Sequence, residues 1–140
     1  MQRSLSRPLF LLLTLPLLLL AGCSDDDNGQ DGAGSGEAVS GTVRVDFTGA
    51  PEELEAIEAT YEVDAGTNAW EAIKQALGED NLAFQDFGGD LGVFITGFTG
   101  VEAEGDHFWE FKLNGETSEA GVSKYEVQDG DVLEFVYSSF

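Results

Sequence analysis

The chain of 140 residues has one cysteine, one histidine, one methionine, three prolines and only six basic residues. Each scarcity excludes something. A lone cysteine, Cys23, rules out an intrachain disulfide framework and a cysteine-rich metal site. The single histidine, His107, has no serine or cysteine beside it with which to build a nucleophilic site. Six Lys and Arg against 27 Asp and Glu give a formal net charge of −21. Such a field repels nucleic acid phosphates and anionic headgroups. No glycine-rich phosphate loop occurs, and no repeat of solenoid period. Carboxylates are so abundant that finding two together says nothing about an acid–base pair. The chain therefore reads as a non-enzyme with no metal, no cofactor and no nucleic acid partner.

What is present begins at the amino terminus. The opening MQRSLSRP carries Arg3 and Arg7, and no acid precedes Asp25. An apolar run, LFLLLTLPLLLL at 9–20, then meets the small residues of LAGC at 20–23. A basic, an apolar and a small-residue region in that order make residues 1–22 a secretory signal. The 15 residues 9–23 would form about 22 Å of helix at ~1.5 Å per residue. A hydrocarbon core is ~30 Å thick, and Pro16 interrupts the run, so a membrane span does not fit. Leu20-Ala21-Gly22-Cys23 resembles the bacterial lipobox, whose cysteine is lipidated and becomes the first mature residue. The resemblance implies that Cys23 ties the protein to a membrane through several acyl chains, enough for a firm anchor. It places the chain in the cell envelope. Ser24 is similar to Gram-negative sorting signals for the outer membrane.

Removing the signal takes Arg3 and Arg7 away and leaves four basic residues against 27 acids, a formal charge of −23. After Cys23 comes SDDDNGQDGAGSGEAVS, acidic, glycine-rich and with almost nothing to bury. Residues 23–40 are expected to be the lipidated cysteine and a disordered tether, which as a flexible coil spans roughly 20–25 Å. Asp25, Asp26, Asp27 and Asp31 lack the glycine and terminal glutamate of a calcium loop and read as solvated charge. Residues 41–140 remain, enough for one small domain with one core.

Within that domain, TVRVDF alternates with Val43, Val45 and Phe47 on one face, and AIEATYEV with Ile57, Ala59, Tyr61 and Val63. The two read as a hairpin. TNAWEAIKQALG follows with Thr67 or Asn68 as cap, a stripe of Ala69, Ile73, Ala76 and Leu77, and a stop at Gly78. Trp70 lies beside that stripe and is expected to pack on the sheet. LAFQDF, LGVFITGF, HFWEFKLNG and KYEVQDGDVLEFVY then supply further strands, the last with a turn at Asp129-Gly130-Asp131. The order predicts an α+β fold of β-grasp type, one helix packed on a mixed β-sheet with hairpins.

The run HFWEFKLNG at 107–115 carries the functional question. Trp109, Phe111 and Leu113 share one face of a strand, and Phe108, Glu110 and Lys112 the other. The first set suits a core. A tryptophan also needs a partner for its N–H, and at a strand end it often keeps one wet side. His107 reads as a solvated loop histidine. Trp109-x-Phe111-x-x-Asn114-Gly115, Gly121-Val122-Ser123-x-Tyr125 and Asp129-Gly130-Asp131 stand here in a particular order. Over residues 42–140 that order resembles the carboxy-terminal domain of transcobalamin and intrinsic factor. It is more similar still to bacterial transcobalamin-like domains of unassigned function.

The resemblance implies a β-grasp-like domain that presses on one face of a corrin ring. It assigns ligand contact to Leu91, Gly92, Val93 and Phe94, with Gly92 letting backbone approach a flat ligand. Contact also falls to Trp109, Phe111, Leu113, Asn114 and Gly115. The carriers' large helical domain has no counterpart in this chain. Two readings follow: a lipid-anchored module that captures a small soluble ligand such as a corrinoid, and a structural or interaction module of the envelope that pairs a strand edge with a protein partner. Ligand capture requires a concave apolar patch beside Gly92 and Trp109, with the indole expected to stand partly uncovered next to it. An adapter requires a flat edge and a buried Trp109.

An acid-rich, lysine-poor surface suits high salt, where screening relieves self-repulsion. Thermal unfolding followed in increasing NaCl should show a rising Tm; a falling Tm would remove the case for a marine or halophilic host.

Overall fold

The computed structural model describes residues 36–140. The signal, Cys23 and the tether up to residue 35 lie outside the described residues. Among the described residues no helix is long and apolar enough to cross a membrane.

Strand β1 (Ala38–Asp46) alternates as its sequence demands, with Val43 and Val45 fully buried and Arg44 exposed between them. It begins three residues before the expected domain start, and Ala38, Val39 and Ser40 pair with Asp64, Val63 and Glu62. Their partner is β2 (Ile57–Asp64), antiparallel to β1. Tyr61 is buried on the inner face of β2, and Glu58 and Glu62 are exposed on the other.

Helix α1 (Ala69–Leu77) starts where Asn68 accepts a hydrogen bond from the Glu71 N–H at 3.0 Å. Asn68, rather than Thr67, is the cap, so one of the helix's orphan donors is satisfied. The helix ends at Gly78, whose φ of 82° suits glycine and whose N–H returns to the Lys74 carbonyl. Ala69, Ala72 and Ile73 are buried.

Five more strands follow before the last: β3 (Leu82–Asp86), β4 (Val93–Phe98), β5 (Val101–Glu102), β6 (His107–Leu113) and β7 (Glu116–Thr117). The last, β8 (Val132–Ser139), lies between β1 and β6, parallel to the first and antiparallel to the second. The mixed sheet thus runs β2-β1-β8-β6-β7, the arrangement expected of a β-grasp domain. Strands β3, β4 and β5 do not join it. They form a separate antiparallel sheet in the order β3-β4-β5, with a bulge at Thr96 between the pairs Ala83↔Gly97 and Phe84↔Ile95.

Trp70, expected on the sheet, meets the smaller one, its ring edge-on to Phe84 of β3 at 4.6 Å. Aromatic rings join the two sheets. Phe98 of β4 meets Trp109 of β6 edge-to-face at 5.1 Å and Phe135 of β8 at 4.8 Å. Such pairs contribute about 0.5–1.5 kcal/mol each beyond the area they bury.

Phe98 is 1% exposed and Phe87, on the β3–β4 connection, is 57% exposed. In urea unfolding Phe98→Ala should lose about 3–5 kcal/mol, and Phe87→Ala should stay within about 0.5 kcal/mol of the parent. Equal losses would show that the sheets are not joined through Phe98.

Candidate functional site

Between β4, β6 and the loop at 117–122 lies a groove of about 210 Å³. Val93, Phe94 and Ile95 form one wall, Ala120, Gly121 and Val122 the other, and Trp109, Phe111 and Phe135 the base. Its surface is mainly apolar. Phe94, 45% exposed, forms part of the rim. A concave patch therefore exists where one was expected, bounded by 93–95 and 117–122.

The indole beside it is not open. Trp109 is 3% exposed, held edge-to-face by Phe47 at 5.4 Å, Phe98 at 5.1 Å and Tyr137 at 5.2 Å. Its N–H is buried with no hydrogen-bond acceptor. The expectation of a partly uncovered Trp109 is thus corrected. Three rings from β4, β8 and the residue after β1 converge on it, contacts that strand alternation does not reveal.

Four of the nine residues assigned to ligand contact line the groove: Val93, Phe94, Trp109 and Phe111. The other five stand elsewhere. Leu91 is 76% exposed on the β3–β4 connection. Gly92 is buried, with φ at 66°, and its backbone lies against the Ser123 side chain; a Cβ there would collide with Ser123 Oγ. The close approach that Gly92 permits is to Ser123, whose Oγ also accepts the Val93 N–H at 3.1 Å. Leu113 is half-buried against the core. Asn114 and Gly115 form the β6–β7 turn, both at positive φ. His107 opens β6 with its ring stacked on Tyr137 at 5.0 Å and Nδ1 3.1 Å from Asp106 Oδ1.

Asn114 belongs to a bonded network. Its backbone N–H donates to the Val132 carbonyl at 2.9 Å, and its Oδ1 accepts the Val132 N–H at 2.8 Å. Its Nδ2 donates to Asp131 at 3.0 Å. Asp131 is buried and also accepts from the Tyr125 hydroxyl at 2.6 Å and the Gln128 N–H at 2.8 Å. The aspartates at 129 and 131 were expected to serve turn chemistry. Asp131 does, accepting the Gln128 N–H across the turn at 2.8 Å, and it is a buried hub besides, whereas Asp129 reaches β1 and accepts the Ser40 N–H at 3.0 Å.

Burial pushes the Asp131 carboxyl up, but hydrogen bonds from Tyr125, Asn114 and Gln128 outweigh it and hold the group below the ordinary value of 3.8. Burial, helped by the bond to Asp131 and its charge, pushes the Tyr125 hydroxyl up to about 12. Burial and the nearby Asp131 charge do the same to Tyr61, also to about 12.

Groove members beyond the nine residues assigned to ligand contact are Ile95, Phe108, Glu110, Phe135 and the residues 117–122. Gly121-Val122-Ser123-x-Tyr125 stood out as a motif without an assigned role. Its place is now clear: Val122 lines the groove, Ser123 fastens β4, and Tyr125 bonds Asp131.

Residues 60–139 match the family described as a domain of unknown function, DUF4430. The chain belongs to that family. No protein among those with curated descriptions matches it. Among solved structures it is similar to haptocorrin in complex with Cbi, at 21% identity and a TM-score of 0.61, over 74% of this chain. The match covers 26% of haptocorrin, so this chain corresponds to about a quarter of that protein's length. It is also similar to a candidate metal-binding protein from Ruminococcus gnavus, at 20% identity and a TM-score of 0.53, over 73% of this chain and 98% of that one. At these identities the likeness is one of fold, the α+β arrangement already described. Among the described residues no group of three His, Cys, Asp or Glu is placed to hold a metal ion.

The network fixes a pH dependence. A depressed Asp131 pKa contributes stability that is present above the unfolded value of about 3.9 and is lost as pH falls through the folded value. The raised Tyr61 and Tyr125 contribute stability present below about 10 and lost as pH rises toward about 12. Asp131→Ala should lower stability near neutral pH by about 2–4 kcal/mol and flatten the acid limb of a urea-unfolding profile. An acid limb unchanged in that variant would place the titrating group elsewhere.

Proposed function

We propose that the protein is a lipid-anchored extracytoplasmic binding module that captures a small soluble ligand, such as a corrinoid, in the groove between β4 and β6. The observation that carries this reading is the apolar groove itself, walled by Val93, Phe94 and the loop at 117–122. Support for the ligand class comes from the resemblance over residues 42–140 and the fold shared with haptocorrin. Support for the anchor comes from LAGC at 20–23.

The groove is smaller than the ~300–1,000 Å³ of sites that enclose a drug-sized molecule. It grips one edge of a ligand rather than surrounding it. Phe94 and Phe111 supply apolar contact, while backbone groups along β6 supply hydrogen bonds. A corrinoid fits this description because amide arms surround its flat ring. Contact on one side alone makes binding weak, in the micromolar range rather than the nanomolar.

Tryptophan fluorescence tests the reading directly, because the chain has only two tryptophans and Trp109 lies at the base of the groove. Cobinamide or cobalamin added to the full chain should change the emission saturably at micromolar concentration. Phe94→Ser, at a partly exposed rim position, should weaken that response about tenfold, roughly 1.4 kcal/mol. No response up to high micromolar ligand retires the corrinoid. In the same experiment, Cys23→Ser should move the chain from the membrane to the soluble fraction.

A further inference from the structure

The groove borders a strand edge with unused hydrogen-bonding capacity. Along β6 the even-numbered residues bond to the β8 side: the Phe140 N–H donates to the Asp106 carbonyl at 3.0 Å, and the Asn114 N–H to the Val132 carbonyl at 2.9 Å. Both bonds keep the register that sets Trp109 opposite Tyr137. In an antiparallel ladder successive residues turn their backbone groups to opposite sides. The odd-numbered residues of β6 therefore face away from β8. The Ser118 N–H donating to the Phe111 carbonyl at 3.0 Å shows this directly. Strand β7 covers that outer edge only at Lys112 and Leu113. Beyond it stand the His107 carbonyl, the Trp109 N–H and carbonyl, and the Phe111 N–H, in acceptor–donor–acceptor–donor order.

The opposite edge of the same sheet is closed. On β2 the Glu62 N–H donates to Gln75 Oε1 at 2.8 Å, and Gln75 Nε2 donates back to the Glu62 carbonyl. A glutamine side chain occupies the place of a neighbouring strand, with exposed Glu58 and Glu62 on the same strand. Plugs and charges are how proteins keep an edge from pairing. The β6 edge has no such plug and runs along apolar walls instead.

We propose that the outer edge of β6 at residues 107–111 is a docking site for an extended polypeptide segment of another protein, which adds itself to the sheet as a strand. Main-chain hydrogen bonds to Trp109 and Phe111 supply the affinity in this mode, and alternate side chains supply the specificity. One or two apolar side chains of the segment would enter the groove of about 210 Å³ between Phe94 and Ala120. The chain's net charge of −21 selects for basic residues flanking the segment and against acidic ones. The proposal shares the groove with the small-ligand reading but does not depend on it.

The test is amide hydrogen exchange on the full chain, alone and with the best binder selected from a library of hexapeptides alternating apolar and basic residues. In the free chain the Trp109 and Phe111 amides should exchange faster than those of Phe108 and Glu110. Bound peptide should slow Trp109 and Phe111 at least tenfold. The same peptide N-methylated at its groove-facing amides should lose that protection. A Trp109 amide already protected in the free chain, no selected peptide that protects it, or equal binding of the N-methylated peptide each overturns the proposal. Cobinamide separates the two readings. Peptide docking with no cobinamide response removes the small ligand alone, and a cobinamide response with no peptide docking removes this proposal alone.

Discussion

Two sheets that share no ladder are held together by aromatic rings, and most of what is distinctive here depends on that junction. Strand β4 approaches β6 through Phe98 on Trp109, and β8 through Phe98 on Phe135, with no hydrogen-bonded register between the sheets. Ring contacts fix a separation set by side-chain size, wider than the ~4.8 Å of paired strands. The gap so created is the groove. If β4 paired with β6 directly, the wall at Val93 and Phe94 would close onto the sheet and its edge would be spent. Packing in place of pairing is what gives this small domain a concave surface.

The second constraint is the polar hub at Asp131, which fixes the turn beside β6 relative to β8. Asn114 holds Val132 through both its backbone and its side chain and also reaches Asp131, which Tyr125 grips from the loop. Buried carboxylates are tolerated only when hydrogen bonds replace their water, and Asp131 accepts three such bonds. The loop at 117–122, which forms one groove wall, is thus bracketed by fixed points. On one side stands the β6–β7 turn at Asn114. On the other stand Ser123, against Gly92, and Tyr125, on Asp131.

Much of the architecture was legible because its signals are local. Val43 and Val45, the Asn68 cap and the Gly78 stop each act within a few residues, and each stands where the pattern put it. The division into two sheets was not legible, since alternation in LAFQDF and LGVFITGF states a face but not a partner. The site was legible only in part. Val93, Phe94, Trp109 and Phe111 come together in the groove. The sealing of Trp109 depends on Phe47 and Tyr137, far apart in sequence, and the use of Gly92 depends on Ser123, 31 positions later. Asn114 and Gly115 looked like contact residues because they travel with Trp109 in the motif; the motif is as much a record of how the hub is built.

The direction of β1 has a consequence for geometry at a surface. Its nine residues run from Ala38 to Asp46, about 30 Å at ~3.3 Å per residue. Pairing through β8 sets Val43 level with Leu133 and Leu113, whereas Tyr137 and Trp109 lie one position past the far end of β1. Val45, Phe135 and Phe111 thus share one level near the far end of β1, and the groove's base at Trp109 and Phe111 belongs to the half of the sheet remote from Ala38. A domain held by its amino-terminal side would therefore be held at the end of β1 remote from that level.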